Sequence, residues 1–249
     1  MELSALTDVD SSTVAFVQDE LATIFHFSMR TGKVERTLPF GAPGDMEGLT
    51  RVGVEYFALR SDGLIYRLRE ESGRLITLDT IRLNVPNRNI EGLGYDERYQ
   101  RILISPKDIA KGPDHDERLL YAMDARAPNG RTEVVLRLDL NDLVAQAKAR
   151  GVALPLRITP KGVTVPGLKL RYSSVALHPF TDHYYLLSAV DRTLLVVDRK
   201  GVLVDLKQLD ATLLPKPEGI TFLPSGDLVL SSEGKGSPPV IVRYTYQGR

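Results

Sequence analysis

Glu47-Gly48-Leu49-Thr50, Glu91-Gly92-Leu93-Gly94 and Glu218-Gly219-Ile220-Thr221 are three copies of one phrase, each followed by the same run of strand-like segments. Two looser copies complete the series, Ser4-Ala5-Leu6-Thr7 and Ser173-Ser174-Val175-Ala176. The copies start at 4, 47, 91, 173 and 218, so the gaps are 43, 44, 82 and 45 residues. A period in the forties, with several short strands per unit, is the mark of a β-propeller in which each repeat is one blade. The expected fold is all-β: a single β-propeller domain over residues 1–249, with five blades and one short helix between the third and fourth repeats. Six blades is the alternative, because the 82-residue gap is close to two periods. No sixth start is found in that gap, and an insertion and helix over residues 107–155 take up the excess length.

Within the units the strand signals are runs of apolar and β-branched residues bounded by turn residues. In Leu64-Ile65-Tyr66-Arg67-Leu68-Arg69, Leu64, Tyr66 and Leu68 share one face while Arg67 and Arg69 share the other, the pattern of a half-buried strand. Leu194-Leu195-Val196-Val197 is apolar on both faces, as expected where a blade is sandwiched between neighbours. The third unit carries a polar insertion from Lys107 to Arg118 and then a helix, with Asn141 as the expected cap, Leu143, Val144 and Ala147 as its apolar stripe and Gly151 as its stop. Pro155, Pro160 and Pro166 punctuate the stretch that leads to the fourth unit, and the fifth unit lacks a fourth strand. Residues upstream of Met1 supplying that strand, or a three-stranded last blade, are the two expectations.

Composition narrows the function classes. Lys plus Arg and Asp plus Glu balance at 32 each, so no global field attracts nucleic acid or an anionic membrane. The chain has no cysteine, which excludes disulfides, thiolate metal sites and a cysteine nucleophile. No apolar run approaches the ~18 residues of a membrane span, and Met1-Glu2-Leu3-Ser4 does not open a signal peptide. No G-x-S-x-G elbow or P-loop appears, and His26, His115, His178 and His183 show no metal spacing.

The repeated glutamates are the candidate site. Innermost strands of a propeller line a central channel, so Glu47, Glu91 and Glu218 are expected to converge at one mouth. Three facing carboxylates do not all ionise without compensation, from a cation, from basic side chains and N–H groups, or from protonation. Hard oxygen donors without cysteine or a histidine cluster favour calcium, ahead of magnesium, over zinc. Asp62 and Glu233, which follow the second strands of their units, are the best acids to join that metal set. Asp19, Asp108 and Asp191 hold the same position, where a turn role is expected. A purely structural reading stands beside this: Glu accepts N–H bonds from the adjoining blade while Gly permits close backbone approach.

Asp45-Met46-Glu47-Gly48-Leu49 with Gly63-Leu64-Ile65-Tyr66, Ile90-Glu91-Gly92-Leu93-Gly94-Tyr95, Leu187-Ser188 with Asp191-Arg192, and Pro217-Glu218-Gly219-Ile220 with Leu230-Ser231-Ser232-Glu233 resemble, in that order, the SdiA-regulated (YjiK/CarP-like) β-propeller family. The resemblance runs from about residue 4 to 246. It implies a bacterial envelope propeller linked to calcium, periplasmic or anchored to the inner membrane through a segment upstream of Met1, with a cytoplasmic location as the alternative. The chain departs from that pattern at Arg60-Ser61-Asp62, which keeps one acid where the family has a cluster, and in unit four, where the acid is displaced to Asp191. Unit three, with Arg118-Leu119-Leu120-Tyr121, is also similar to the esterase-like phytase propellers. The leading expectation is a non-catalytic, Ca²⁺-binding sensor or scaffold. The alternatives are a metal-assisted phosphoesterase with Lys107, Lys111 and Arg118 as substrate rim, and a metal-free scaffold for a protein partner.

Overall fold

Strands covered on both faces need apolar side chains on both, and the middle runs of each repeat supply them. The computed structural model describes residues 2–87, 89–108, 115–159, 161–234, 236 and 238–248. Blade one comprises β1 (Ala5–Asp8), β2 (Thr13–Gln18), β3 (Leu21–Ser28) and β4 (Lys33–Pro39). Blade two comprises β5 (Met46–Val52), β6 (Glu55–Arg60), β7 (Leu64–Glu71) and β8 (Arg74–Arg82). Blade three comprises β9 (Ile90–Asp96), β10 (Arg101–Pro106), β11 (Glu117–Asp124) and β12 (Glu133–Asp139). There follow α1 (Leu140–Ala149) and a hairpin of β13 (Leu156–Ile158) with β14 (Thr164–Pro166). Blade four comprises β15 (Ser174–Leu177), β16 (Tyr184–Ser188), β17 (Thr193–Val197) and β18 (Leu203–Gln208). Blade five has β19 (Lys216–Phe222), β20 (Leu228–Glu233) and β21 (Val240–Tyr244). Each blade is an antiparallel meander in chain order, four-stranded except for the three-stranded fifth.

The first strands of the blades meet in a ring, β1 beside β5, then β9, β15, β19 and back to β1. Five blades therefore close the wheel, and the gap between the third and fourth repeats is filled by α1 and the hairpin. At the closure the Asp8 N–H donates to Thr221 Oγ1 at 3.2 Å.

The core is not one mass. Among the described residues it divides into five clusters, and each lies between two adjacent blades. This arrangement corrects the reading of β7. Tyr66 and Leu68 face blade one, but Ile65 on the opposite side is wholly buried against blade three, so the strand is covered on both faces. The bulge in the pairing with β8 skips Leu78 of that strand, so β7 itself keeps its alternation.

The largest cluster joins blades three and four and includes Leu140, Leu143 and Ala147 of α1. The helix cap is Asp139 rather than Asn141: the Asp139 carboxylate accepts from the N–H groups of Asn141 and Asp142 at 2.8 and 2.9 Å. Gly151 follows the helix in the left-handed conformation, φ 66°, as its stopping role requires. Polar contacts reinforce the same interface. Arg199 pairs with the fully buried Asp96 and with Asp182, donates to Tyr184 Oη at 2.8 Å, and lies over the rings of Tyr99 and Tyr184. No helix among the described residues is long and apolar enough to cross a membrane.

Candidate functional site

Each repeated glutamate sits on a β-bulge. Met46 pairs with Arg60 and Gly48 with Leu59, leaving Glu47 between them unpaired. In blade three Ile90 pairs with Pro106 and Gly92 with Ser105, and Glu91 is skipped. In blade five Pro217 pairs with Ser232 and Gly219 with Ser231, and Glu218 is skipped. A bulge adds a residue to one strand and turns its side chain out of the ladder. Because all three bulges fall at the start of an inner strand, the three side chains gather at one mouth of the channel.

The glycine after each glutamate has a separate task. A Cβ on Gly92 would lie 2.1 Å from Ser105 Oγ and 3.0 Å from the Ser174 Cα of the next blade. One on Gly219 would lie 2.3 Å from Ser231 Oγ and 2.9 Å from Leu6 Cδ2, again in the next blade. Glycine is needed there for close approach between blades.

The electrostatics at this mouth are those of too many acids for too few bases. Glu91 and Glu218 are 2% and 5% exposed, and Glu47 is half-buried. Lys107 Nζ is 2.5 Å from Glu91 Oε1, which also accepts from Asn89 Nδ2 at 3.2 Å. Lys216 bridges Glu218 at 3.2 Å and Glu233. Burial pushes the Glu47 carboxyl up to about 8, with Glu91, Asp45 and Glu218 adding repulsion and Lys107 opposing it. Burial likewise pushes Glu218 up to about 7; Lys216 and Lys107 draw it down, and Glu91 pushes it further up. Glu91 is also raised by burial, against the pull of Lys107, Asn89 and Lys216. Lys216 is held above the usual amine range by its bonds to Glu233 and Glu218, which outweigh its desolvation. The Glu91 Oε2 atom is buried and has no hydrogen-bond partner among the described residues.

The mouth thus brings together Glu47, Glu91, Glu218 and Glu233 with two lysines. Among the described residues no group of three or more His, Cys, Asp or Glu side chains is arranged to hold a metal ion. The lysine ammoniums are inserted among the carboxylates, the compensation by basic side chains that the sequence leaves open beside a cation. Lys107, expected on a substrate rim, pairs with Glu91 instead, and Lys216, two residues before the third Glu, joins the mouth without any expectation from the sequence.

Asp62 stands apart from this cluster. It pairs with Arg60 and Arg82 and accepts from the Leu64 N–H, and those bonds hold its carboxyl below the usual range. Asp19 accepts the Glu20 N–H at its own turn, as expected of that position, whereas Asp108 accepts from the Asn89 N–H and Asp191 from the Lys169 and Leu170 N–H groups, so these two hold the segments that lead into blades three and four. Arg118 is buried, and its guanidinium donates to the carbonyls of Leu170, Lys169, His115 and Glu117, tying β11 to the segment before blade four. Lys111 lies outside the described residues. His26 hydrogen-bonds Tyr56 Oη at 3.1 Å, and His178 packs among Phe180, Tyr185, Phe222 and Tyr246. At the opposite end of the inner strands a cavity of about 570 Å³ is lined by Thr7, Asp8, Thr50, Arg51, Arg98 and Thr221 among others.

No protein-family model matches the chain, and no curated protein matches it in sequence. Similar solved structures exist. One is the crystal structure of Myxococcus xanthus glutaminyl cyclase, at a TM-score of 0.48 and 13% identity, covering 83% of this chain and 73% of that one. Another is a chain in the crystal structure of the mitotic checkpoint complex, at a TM-score of 0.49 and 12% identity, covering 98% of this chain and 62% of that one.

Proposed function

We propose that this β-propeller is a non-catalytic divalent-cation-binding protein, taking Ca²⁺ ahead of Mg²⁺ at the mouth formed by Glu47, Glu91, Glu218 and Glu233, with a sensor or scaffold role. The observation that carries this reading is the charge balance of the mouth. With Asp45 counted, at least five carboxylates face two ammonium groups, and the excess negative charge appears as raised carboxyl pKa values and one orphaned buried oxygen. A divalent cation supplies two charges, and carboxylate oxygens are the hard donors that calcium and magnesium prefer.

The fit requires the lysines to give way. The Lys107 and Lys216 side chains are 27% and 36% exposed, so each has a route into water from its partner carboxylate. When a cation is bound, the carboxylates supply oxygen ligands and the displaced ammoniums neutralise the rim. The resemblance of the repeat phrases to the SdiA-regulated propellers supports the same ligand and supports a place at the bacterial envelope, which fractionation of the native cell tests.

Melting the metal-free protein at pH 8 with and without millimolar Ca²⁺ tests the reading. A ligand at ~100 times its dissociation constant adds ~2.7 kcal/mol, which raises Tm by roughly 5–10 °C for a chain of this size. Binding also deprotonates the site, so about one proton per Ca²⁺ is expected to be released near pH 7 in weakly buffered solution. An unchanged Tm, with no heat of binding and no proton release, overturns the reading. A stable protein partner captured by the metal-free protein would then favour a scaffold.

A further inference from the structure

The segment between blades three and four holds a feature unrelated to the channel. From Leu143 to Thr181 the chain has Lys148, Arg150, Arg157, Lys161, Lys169 and Arg171 and no Asp or Glu at all. The whole chain is neutral, so this stretch opposes an equally acidic remainder. At its centre the β13–β14 hairpin projects three aliphatic side chains into solvent: Leu156, Ile158 and Val163 are 72%, 71% and 55% exposed. Leu156 and Ile158 lie two apart on β13 and so share a face. Arg157 falls between them and Lys161 sits at the turn, both exposed.

Exposed aliphatic side chains interleaved with basic ones match the interface of an anionic bilayer, which offers apolar depth beneath a layer of negative headgroups. The hairpin is also suited to leave water. Its strands pair with each other, Thr159 N–H donates to Val163 O at 2.8 Å, Gly162 N–H to Thr159 O at 2.9 Å, and Gly167 N–H to Pro155 O at 2.9 Å. Few backbone groups are therefore stranded when the tip enters the headgroup region. We infer that this hairpin is a membrane-surface anchor that seats Leu156, Ile158 and Val163 among the headgroups of an anionic bilayer, with Arg157 and Lys161 on the phosphates.

Co-sedimentation with vesicles tests this directly. The protein is expected to bind vesicles of phosphatidylcholine mixed with phosphatidylglycerol, to ignore phosphatidylcholine alone, and to release as salt rises. Leu156→Ser with Ile158→Ser is expected to weaken binding at least tenfold, and Arg157→Gln with Lys161→Gln by about fivefold per charge. Unchanged melting temperatures confirm that both variants fold, since the altered side chains are exposed. Three results would each overturn the inference: no binding to the anionic vesicles, binding that both variants retain, or a concentration-dependent dimer that the Leu156→Ser, Ile158→Ser variant abolishes. The last would assign the face to a second copy of the chain.

Discussion

Replacing Glu47 with Gln separates electrostatic burden from structural need at the channel mouth. A carboxyl raised from 4.5 to about 8 binds its proton more tightly in the folded chain than in the unfolded one. Between those two values the folded state holds more protons, so the contribution of Glu47 to stability falls as pH rises. This is the opposite of a salt-bridged acid, whose contribution is lost as pH falls. At ~1.36 kcal/mol per unit the whole rise corresponds to roughly 5 kcal/mol. Solvent entry and movement of Lys107 relieve part of it, and about 2 kcal/mol is expected to remain at pH 9. Gln keeps the shape and cannot ionise. The Glu47→Gln protein should therefore melt close to the wild type at pH 5 and ~4–8 °C above it at pH 9. Saturating Ca²⁺ should reverse the order at pH 9, because only the wild type retains the full set of donors. Differential scanning calorimetry across pH 5–9, with and without Ca²⁺, reads both effects. A Tm difference that stays flat with pH, or that falls, refutes the account of Glu47 as an uncompensated buried acid.

Two other substitutions probe how the blades are held together. Gly92→Ala forces a methyl against Ser105 Oγ and the backbone of Ser174, and a loss of about 1–3 kcal/mol is expected; urea titration measures it, and a neutral result would show that blades three and four are not in close approach. Arg199→Met leaves the buried Asp96 with Arg101 and the Tyr99 N–H as its remaining partners and should cost about 2–3 kcal/mol. Adding Asp96→Asn to that variant should restore part of the loss, and strict additivity of the two changes would deny their coupling.

The wheel was legible in the sequence because a propeller repeats its backbone problem, and the Glu-Gly-aliphatic phrase is the local answer written several times. Other parts were hidden for identifiable reasons. The two-faced burial of β7 arises because each blade is packed between neighbours, so Ile65 is buried by residues from another repeat. The cap at Asp139 was missed because the residue also ends β12, and strand and helix abut with no linker. Pro155, Pro160 and Pro166 suggested an irregular connection, yet β13 and β14 use Pro166 at the strand end. At the site, the convergence of three glutamates was readable from spacing. The entry of Lys107 and Lys216 was not, because one follows a second strand and the other opens a first strand, with no shared motif. A Lys two residues before Glu218 is nonetheless a usable signal, since at that separation its long side chain reaches the carboxylate.

Blades one and four supply the comparison that divides structure from function at the channel mouth. There the phrase begins with serine, and the backbone does the same work: Ser4 N–H donates to Val17 O at 3.1 Å and Ser173 N–H to Leu187 O at 2.9 Å, while the next residue of each, Ala5 and Ser174, pairs with the same partner. The two-against-one spacing thus forms without an acid. Ser173 Oγ finds its own acceptor in Pro217 O at 2.8 Å, a modest and satisfied arrangement. Glu91 and Glu218, by contrast, accept from the side chains of Asn89, Lys107 and Lys216, and both, with Glu47, still keep raised pKa values. A residue that the bulge does not require, and whose burial opposes folding at neutral pH, is what the proposed cation site would account for. A bound cation would offset that cost for Glu47, Glu91 and Glu218 together, since each is raised by the same desolvation and the first and third also by their neighbours' charge.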